Sequence, residues 1–241
     1  MGHSLTIISP SGTPITERTV GELVAERPGR SRVFQRNSID FCCQGGRTLE
    51  EACTLMKVAL ELIVDQLEAE LADPSAPGFN PAELTPHELA EFIVETHHEF
   101  LREELPRLHA LAKRVANVHG GHTPSLVKVF QIVVNVEAEL TSHMAKEERM
   151  LFPAVAAMSR GETMPMPLDG PISCMMYEHD VVGNAIAHLR ELTHDFQPPA
   201  EACNTYRALF AGLADLEEDL HRHIHLENSV LFPAAQAMMI S

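Results

Sequence analysis

Residues 143–154 read HMAKEERMLFPA and residues 223–234 read HIHLENSVLFPA, so H-x-x-x-E-x-x-L-F-P-A occurs twice in one chain. A histidine and a glutamate four positions apart are neighbours on one face of a helix. In both copies that face is otherwise apolar. Val136, Leu140, Leu151 and Ala154 accompany His143 and Glu147, while Leu216, Leu220, Leu231 and Ala234 accompany His223 and Glu227. An imidazole and a carboxylate set into an apolar stripe point inward, and a buried carboxylate is costly unless an opposite charge meets it. The repeat therefore calls for helices that bring both pairs to a shared partner.

The rest of the chain agrees with helices. It has no Trp, few aromatic residues, and long stretches of Ala, Leu, Glu and Met at helical spacing. With 18 basic against 34 acidic residues the formal charge is −16, which argues against a nucleic-acid partner, because phosphate binding needs clustered Lys and Arg. No apolar run approaches a membrane span, and the start lacks the basic-then-apolar order of a signal peptide, so a cytoplasmic protein with no membrane contact is expected. Five cysteines, two of them adjacent at Cys42–Cys43, do not make a secreted disulfide framework, and reduced thiols are expected.

Residues 1–14 read as a tail and residues 15–73 as a small helical domain. In the latter, Thr19-x-x-Glu22 and Thr48-x-x-Glu51 are capping boxes, and a helix is expected from about Met56 to Leu71. The run DPSAPGFNP places a linker at residues 74–84. Residues 85–241 then read as four long helices, opened by a third capping box, Thr85–Glu88, with proline at the first helical position. Gly120–Gly121, the proline-spotted loop Arg160–Pro171 and Pro198–Pro199 separate them, the third helix ending near Phe196. The expected class is all-α, with an antiparallel up-down-up-down four-helix bundle. Kinks are expected at Pro106, Pro153 and Pro233.

The other two long helices carry matching features. His98 is followed on its stripe by Leu101, Leu105 and Leu108, and His179 at the same offsets by Val182, Ile186 and Leu189. In an antiparallel hairpin, residues equidistant from the turn lie at one height. Midway between His98 and His143 lie Gly120 and Gly121, midway between His143 and His179 lies Gly161, and midway between His179 and His223 lies Glu201, just past the proline pair. His98, His143, His179 and His223 are therefore expected at one level with Glu147 and Glu227. Four imidazoles and two carboxylates suit two first-row metal ions, each taking two histidines and sharing both carboxylates. Iron or manganese fits this donor set best, with zinc still compatible by softness. Glu139 and Asp219, each four residues before one of these histidines, are candidates to orient an imidazole from outside, with solvated carboxylates as the alternative. His97, His109, His119, His122, His188, His194, His221 and His225 are expected to be mostly exposed.

At HHEFLREELP, HMAKEERMLFP, EHD and HIHLENSVLFP, residues 85–241 resemble the hemerythrin-like cation-binding (HHE) domains. The N-terminal DFCCQGG resembles the short domain that precedes such a bundle in the di-iron repair-of-iron-centres proteins, many of which have Cys-Cys-Gly-Gly where this chain has Cys-Cys-Gln-Gly-Gly. The resemblance implies an oxo- or hydroxo-bridged pair of iron ions, with His98, His143, His179 and His223 as terminal ligands and Glu147 and Glu227 as bridges. Nothing fills the place of the fifth histidine of oxygen-carrying hemerythrins, which favours the repair group.

It also implies a stress-response protein that restores iron–sulfur clusters damaged by nitric oxide or peroxide, through iron donation, reaction with nitric oxide, or both. Its partners would be damaged iron–sulfur proteins or a cluster scaffold, together with nitric oxide and oxygen, and a homodimer is compatible. Cys42 and Cys43 are candidates for thiol or iron-transfer chemistry, against inert thiols in a buried turn. A nitric oxide reductase-type enzyme and an oxygen or nitric oxide sensor or carrier are the alternative functions.

Overall fold

The computed structural model describes residues 13–71, 80–162 and 167–240. The expectations for residues 1–12, 72–79, 163–166 and 241 lie outside them. All regular structure among the described residues is helical, apart from one isolated antiparallel bridge between Thr19 and Thr48. The chain divides into two compact units, Met1–Thr85 with Ile224–Ala234, and Pro86–His223 with Ala235–Ser241. No helix among the described residues is long and apolar enough to cross a membrane.

In the first unit, α1 (Val20–Glu26), α2 (Arg30–Arg36), α3 (Leu49–Met56) and α4 (Leu60–Leu71) enclose a core of Val20, Leu23, Phe34, Phe41, Leu49, Ile63 and Leu67. Both capping boxes form. Thr19 Oγ1 accepts from the Glu22 amide at 3.2 Å while Glu22 accepts from the Thr19 amide at 3.0 Å, and Thr48 and Glu51 repeat both bonds at α3. Such a box satisfies two amides that a helix start leaves without partners. The helix expected from Met56 begins instead at Leu60. Lys57 turns left-handed (φ 56°), and the Val58 amide returns to the Cys53 carbonyl at 3.1 Å, which closes α3 without the glycine that usually marks such an end.

Gly45, from the CCQGG stretch, is buried against Ser229 of the same unit. A Cβ built there would lie 2.5 Å from the Phe41 carbonyl oxygen and 3.1 Å from Ser229 Oγ. The Gly45 carbonyl accepts from the Gly21 amide at 2.9 Å, and a Cβ on Gly21 would meet the same Ser229 hydroxyl at 2.6 Å. Two missing side chains thus let backbone approach backbone.

In the second unit, α5 (Pro86–Ile93) passes through a π-turn, Val94–His98, into α6 (Glu99–His119). Next comes α7 (Ser125–Lys146), which continues through a π-turn, Glu147–Leu151, into α8 (Phe152–Ser159). It is followed by α9 (Asp169–Leu192) and α10 (Asn204–Leu226), and α10 continues through a π-turn, Glu227–Leu231, into α11 (Phe232–Ile240). Buried residues recur every three or four positions: Leu101, Leu105 and Leu108 on α6, Val129, Val133, Val136 and Leu140 on α7, and Val182, Ile186 and Leu189 on α9. Each such side chain contributes about 1.5–3 kcal/mol by leaving water. α6 packs on α7, α7 on α9 and α5 on α8. Gly212 lets α10 approach α6 closely, since a Cβ there would sit 2.8 Å from Leu108 Cδ2.

The three prolines occupy two kinds of place in the helices. α6 runs unbroken through Pro106. Pro153 and Pro233 are each the second residue after a π-turn, where a residue without an amide hydrogen fits the changed bonding register. α9 ends at Leu192, short of the expected Phe196, because His194, Asp195 and Phe196 are all left-handed. Arg190 holds this reversal, ion-paired to Glu217 and Asp195, with its guanidinium 5.1 Å from the centre of the Phe196 ring.

Gly45→Ala is expected to lower the stability of the protein by about 1–3 kcal/mol, the usual cost of overpacking. Gly46→Ala, with nothing within 4 Å of its Cβ, should stay within about 0.5 kcal/mol of the parent. Urea unfolding of the two variants side by side measures the difference.

Candidate metal centre

The structure brings all six candidate ligands together. His98 closes the first π-turn, His143 lies one turn before the end of α7, and Glu147 opens the second π-turn. His179 lies within α9, His223 near the end of α10, and Glu227 opens the third π-turn. Every one is buried, with Glu147, Glu227 and His98 at 0% exposure. Ligand atoms of His98, Glu147, His223 and Glu227 all lie within 4.8 Å of one another, and so do those of His143, Glu147, His179 and Glu227. Each group thus has two histidines of its own, and the two glutamates belong to both.

The spacings around Glu147 are long for direct hydrogen bonds and fit ligands of a common ion. Glu147 Oε1 is 3.3 Å from His143 Nε2 and Glu147 Oε2 is 3.4 Å from His98 Nε2. His143 Nε2 and His179 Nε2 stand 3.0 Å apart. Two ligands each about 2.1 Å from one ion and at right angles to each other are about 3.0 Å apart. Both oxygens of Glu147 are buried without a hydrogen-bond donor. A carboxylate so placed calls for a cation, and the oxygen and imidazole donors suit a first-row metal.

Two carboxylates outside this cluster fix the tautomers. His98 Nδ1 meets Glu148 Oε1 at 2.7 Å, and His143 Nδ1 meets Glu178 Oε2 at 2.9 Å. A carboxylate only accepts, so each Nδ1 carries the hydrogen and each neutral ring keeps its Nε2 lone pair for a metal. Both carboxylates are held in turn by a half-exposed cation: Arg102 pairs with Glu148, and Lys146 with Glu178. Burial pulls the Glu178 carboxyl upward, but the hydrogen bonds from Lys146 and then His143 outweigh it and keep it below the usual carboxylate range.

These two partners were missed in the sequence. Glu139, a candidate either to orient His143 or to be a solvated carboxylate, is exposed, and it is Glu178 of the neighbouring helix that bonds His143. Asp219, the other candidate, is buried but bonds His97 Nδ1 at 2.8 Å. His97, expected to be exposed, is buried and stacks flat on His223, with ring centres 5.3 Å apart and planes 3° from parallel. Asp219 therefore bears on His223 through a second imidazole. His225, also expected to be exposed, is buried edge-on to Phe41 at 5.6 Å. Burial depresses its pKa to about 4, slightly opposed by the Phe41 backbone. Cys42 is buried and Cys43 half-buried, in a loop where both amides bond Asp40 Oδ1. None of the five cysteines is in a disulfide.

Comparison with known proteins agrees with this site. Residues 89–235 match the model of the hemerythrin HHE cation binding domain, and residues 16–71 match ScdA_N, a domain of unknown function. The site and the helices that carry it therefore define a hemerythrin-like, cation-binding class of protein. The chain is 35% identical over 216 residues to the iron-sulfur cluster repair protein ScdA of Staphylococcus haemolyticus, which covers 90% of this chain and 96% of that one. It is 38% identical over 224 residues to the iron-sulfur cluster repair protein YtfE of Cronobacter sakazakii, covering 92% and 97%. The YtfE of Musicola paradisiaca is 36% identical over 220 residues, covering 91% and 96%. The chain belongs to the family of these hemerythrin-like iron–sulfur cluster repair proteins.

Glu178→Gln and Glu148→Gln are each expected to weaken metal binding about 10–100-fold, the usual cost of losing a carboxylate behind a histidine ligand. Glu139→Gln should leave it unchanged. Competition against a chromogenic chelator measures all three.

Proposed function

We propose that this protein repairs iron–sulfur clusters damaged by nitrosative or oxidative stress, and that it does so by supplying iron from a buried di-iron centre. In this reading the four long helices form an antiparallel up-down-up-down bundle. His98 and His223 would hold one iron and His143 and His179 the other, with Glu147 and Glu227 available to both. Partition of six buried donors into two groups with both carboxylates in common is the observation that carries the reading. When bound, such a pair supplies exchangeable ferrous iron and one-electron chemistry with nitric oxide or oxygen.

The protein's own groups do the rest. Glu148 and Glu178 hold hydrogens on Nδ1 of His98 and His143, which keeps both Nε2 atoms aimed inward. Val136, Leu140, Val182 and Ile186 are buried on the helices that carry His143 and His179 and limit water there. Arg102 and Lys146 shield the outer carboxylates from solvent. The loop at Cys42 and Cys43 supplies soft donors for iron on its way to a damaged cluster or a cluster scaffold.

Native protein should contain two iron ions per chain, antiferromagnetically coupled in Mössbauer spectra of the oxidised form. Glu147→Gln, which removes one shared charge, should lose most of its iron. The reduced protein should transfer iron to a cluster-depleted acceptor and restore the acceptor's activity. If it keeps all its iron in the presence of that acceptor, the donor reading is wrong.

A further inference from the structure

We propose that Asp40, Cys42 and Cys43 form a metal site separate from the histidine–glutamate centre, one that takes a single thiophilic divalent cation of the ferrous iron or zinc kind. One ligand atom from each of the three lies within 4.8 Å of the other two. Cys42 Sγ is 3.9 Å from Cys43 Sγ and 3.2 Å from Asp40 Oδ1. Two thiolates about 2.3 Å from one tetrahedral ion stand about 3.8 Å apart, so the sulfurs already have the separation that an ion requires.

Adjacent side chains in an extended chain diverge, and here a specific turn makes them converge. Asp40 Oδ1 accepts the amides of Cys42 at 3.0 Å and Cys43 at 2.9 Å, which curls the backbone around the carboxylate and turns both sulfurs toward it. The turn is anchored on both sides. Phe41 lies against Phe34 at 6.3 Å and His225 at 5.6 Å, and Asn228 Nδ2 donates to the Cys42 carbonyl at 3.2 Å. Little ordering is then left to do on binding, which favours affinity.

Access and chemistry agree with this assignment. Cys42 is buried, whereas Asp40 is exposed and Cys43 half-exposed, so an ion can arrive from the solvent side and leave by it. Two sulfurs and one oxygen select a soft or borderline cation over magnesium or calcium. On binding, two S–H bonds break, two metal–sulfur bonds form and two protons pass to solvent, with no change in the metal's oxidation state.

The site deepens the iron-donation reading by giving the cargo a place to dwell outside the buried centre, but its occupancy can be measured independently. Cobalt(II) is the probe, added anaerobically to full-length protein whose histidine–glutamate centre is loaded with iron. One cobalt per chain should bind and produce sulfur-to-cobalt charge-transfer absorption in the near ultraviolet. Cys43→Ser should remove most of that absorption and weaken binding by more than the ~10-fold that loss of a mere supporting partner costs. Asp40→Asn, which preserves an acceptor for the two amides, should weaken binding while keeping the sulfur band. Cys203→Ser, at an exposed cysteine outside the loop, should change neither. Unchanged iron content in each variant reports an intact fold. Cobalt bound without a sulfur band, a band undiminished in Cys43→Ser, or binding seen only after iron is stripped would each overturn the proposal. Cobalt binding in a protein that fails to transfer iron would sink the donation reading and leave this site standing.

Discussion

Two glutamates held in a dry interior beside four imidazoles set the terms for the rest of the molecule. Removing an ionised carboxylate from water costs several kcal/mol even after the protein relaxes, and Glu147 has no hydrogen-bond donor to offset that cost. A fold that keeps such groups has to bring a cation to the same place. Neutral imidazoles with Nε2 turned inward, two of them held by carboxylates behind, are the groups that would hold one there.

Charge can be followed outward from that centre. Glu147 and Glu227 supply two negative charges at the centre, and Glu148 and Glu178, each one imidazole away, supply two more. Arg102 and Lys146 then mark where this arrangement meets water. His223 is supported differently, by the flat face of His97 and, behind it, Asp219. Two histidines are thus held by direct charge-assisted hydrogen bonds and a third by stacking.

Much of this was legible in the residues. The four-residue spacing of His143 and Glu147, the apolar stripe around them, and the placement of the glycine and proline turns located all six buried donors before any coordinates. Other features had no local signal. Glu178 adjoins His179 in the chain but serves His143 on another helix, a relation that only packing creates. His225 looked solvated on its own helix, and it is buried because Phe41, far away in sequence, covers it. Lys57 ends a helix in a conformation that glycine or asparagine usually adopts, so composition gave no warning of the break. His97 and His98 cannot both lie on one narrow stripe of a regular helix. Both are buried because the backbone widens at that point.

Those three widened turns, at Val94–His98, Glu147–Leu151 and Glu227–Leu231, make residue count as important as residue type. Each residue of an α-helix advances the face by about 100°. Deleting one amino acid inside a widened turn would let the backbone relax to ordinary helical bonding, with little local penalty, yet swing every side chain beyond it to a new direction. At these points the number of residues, and not only their kind, aims the buried donors.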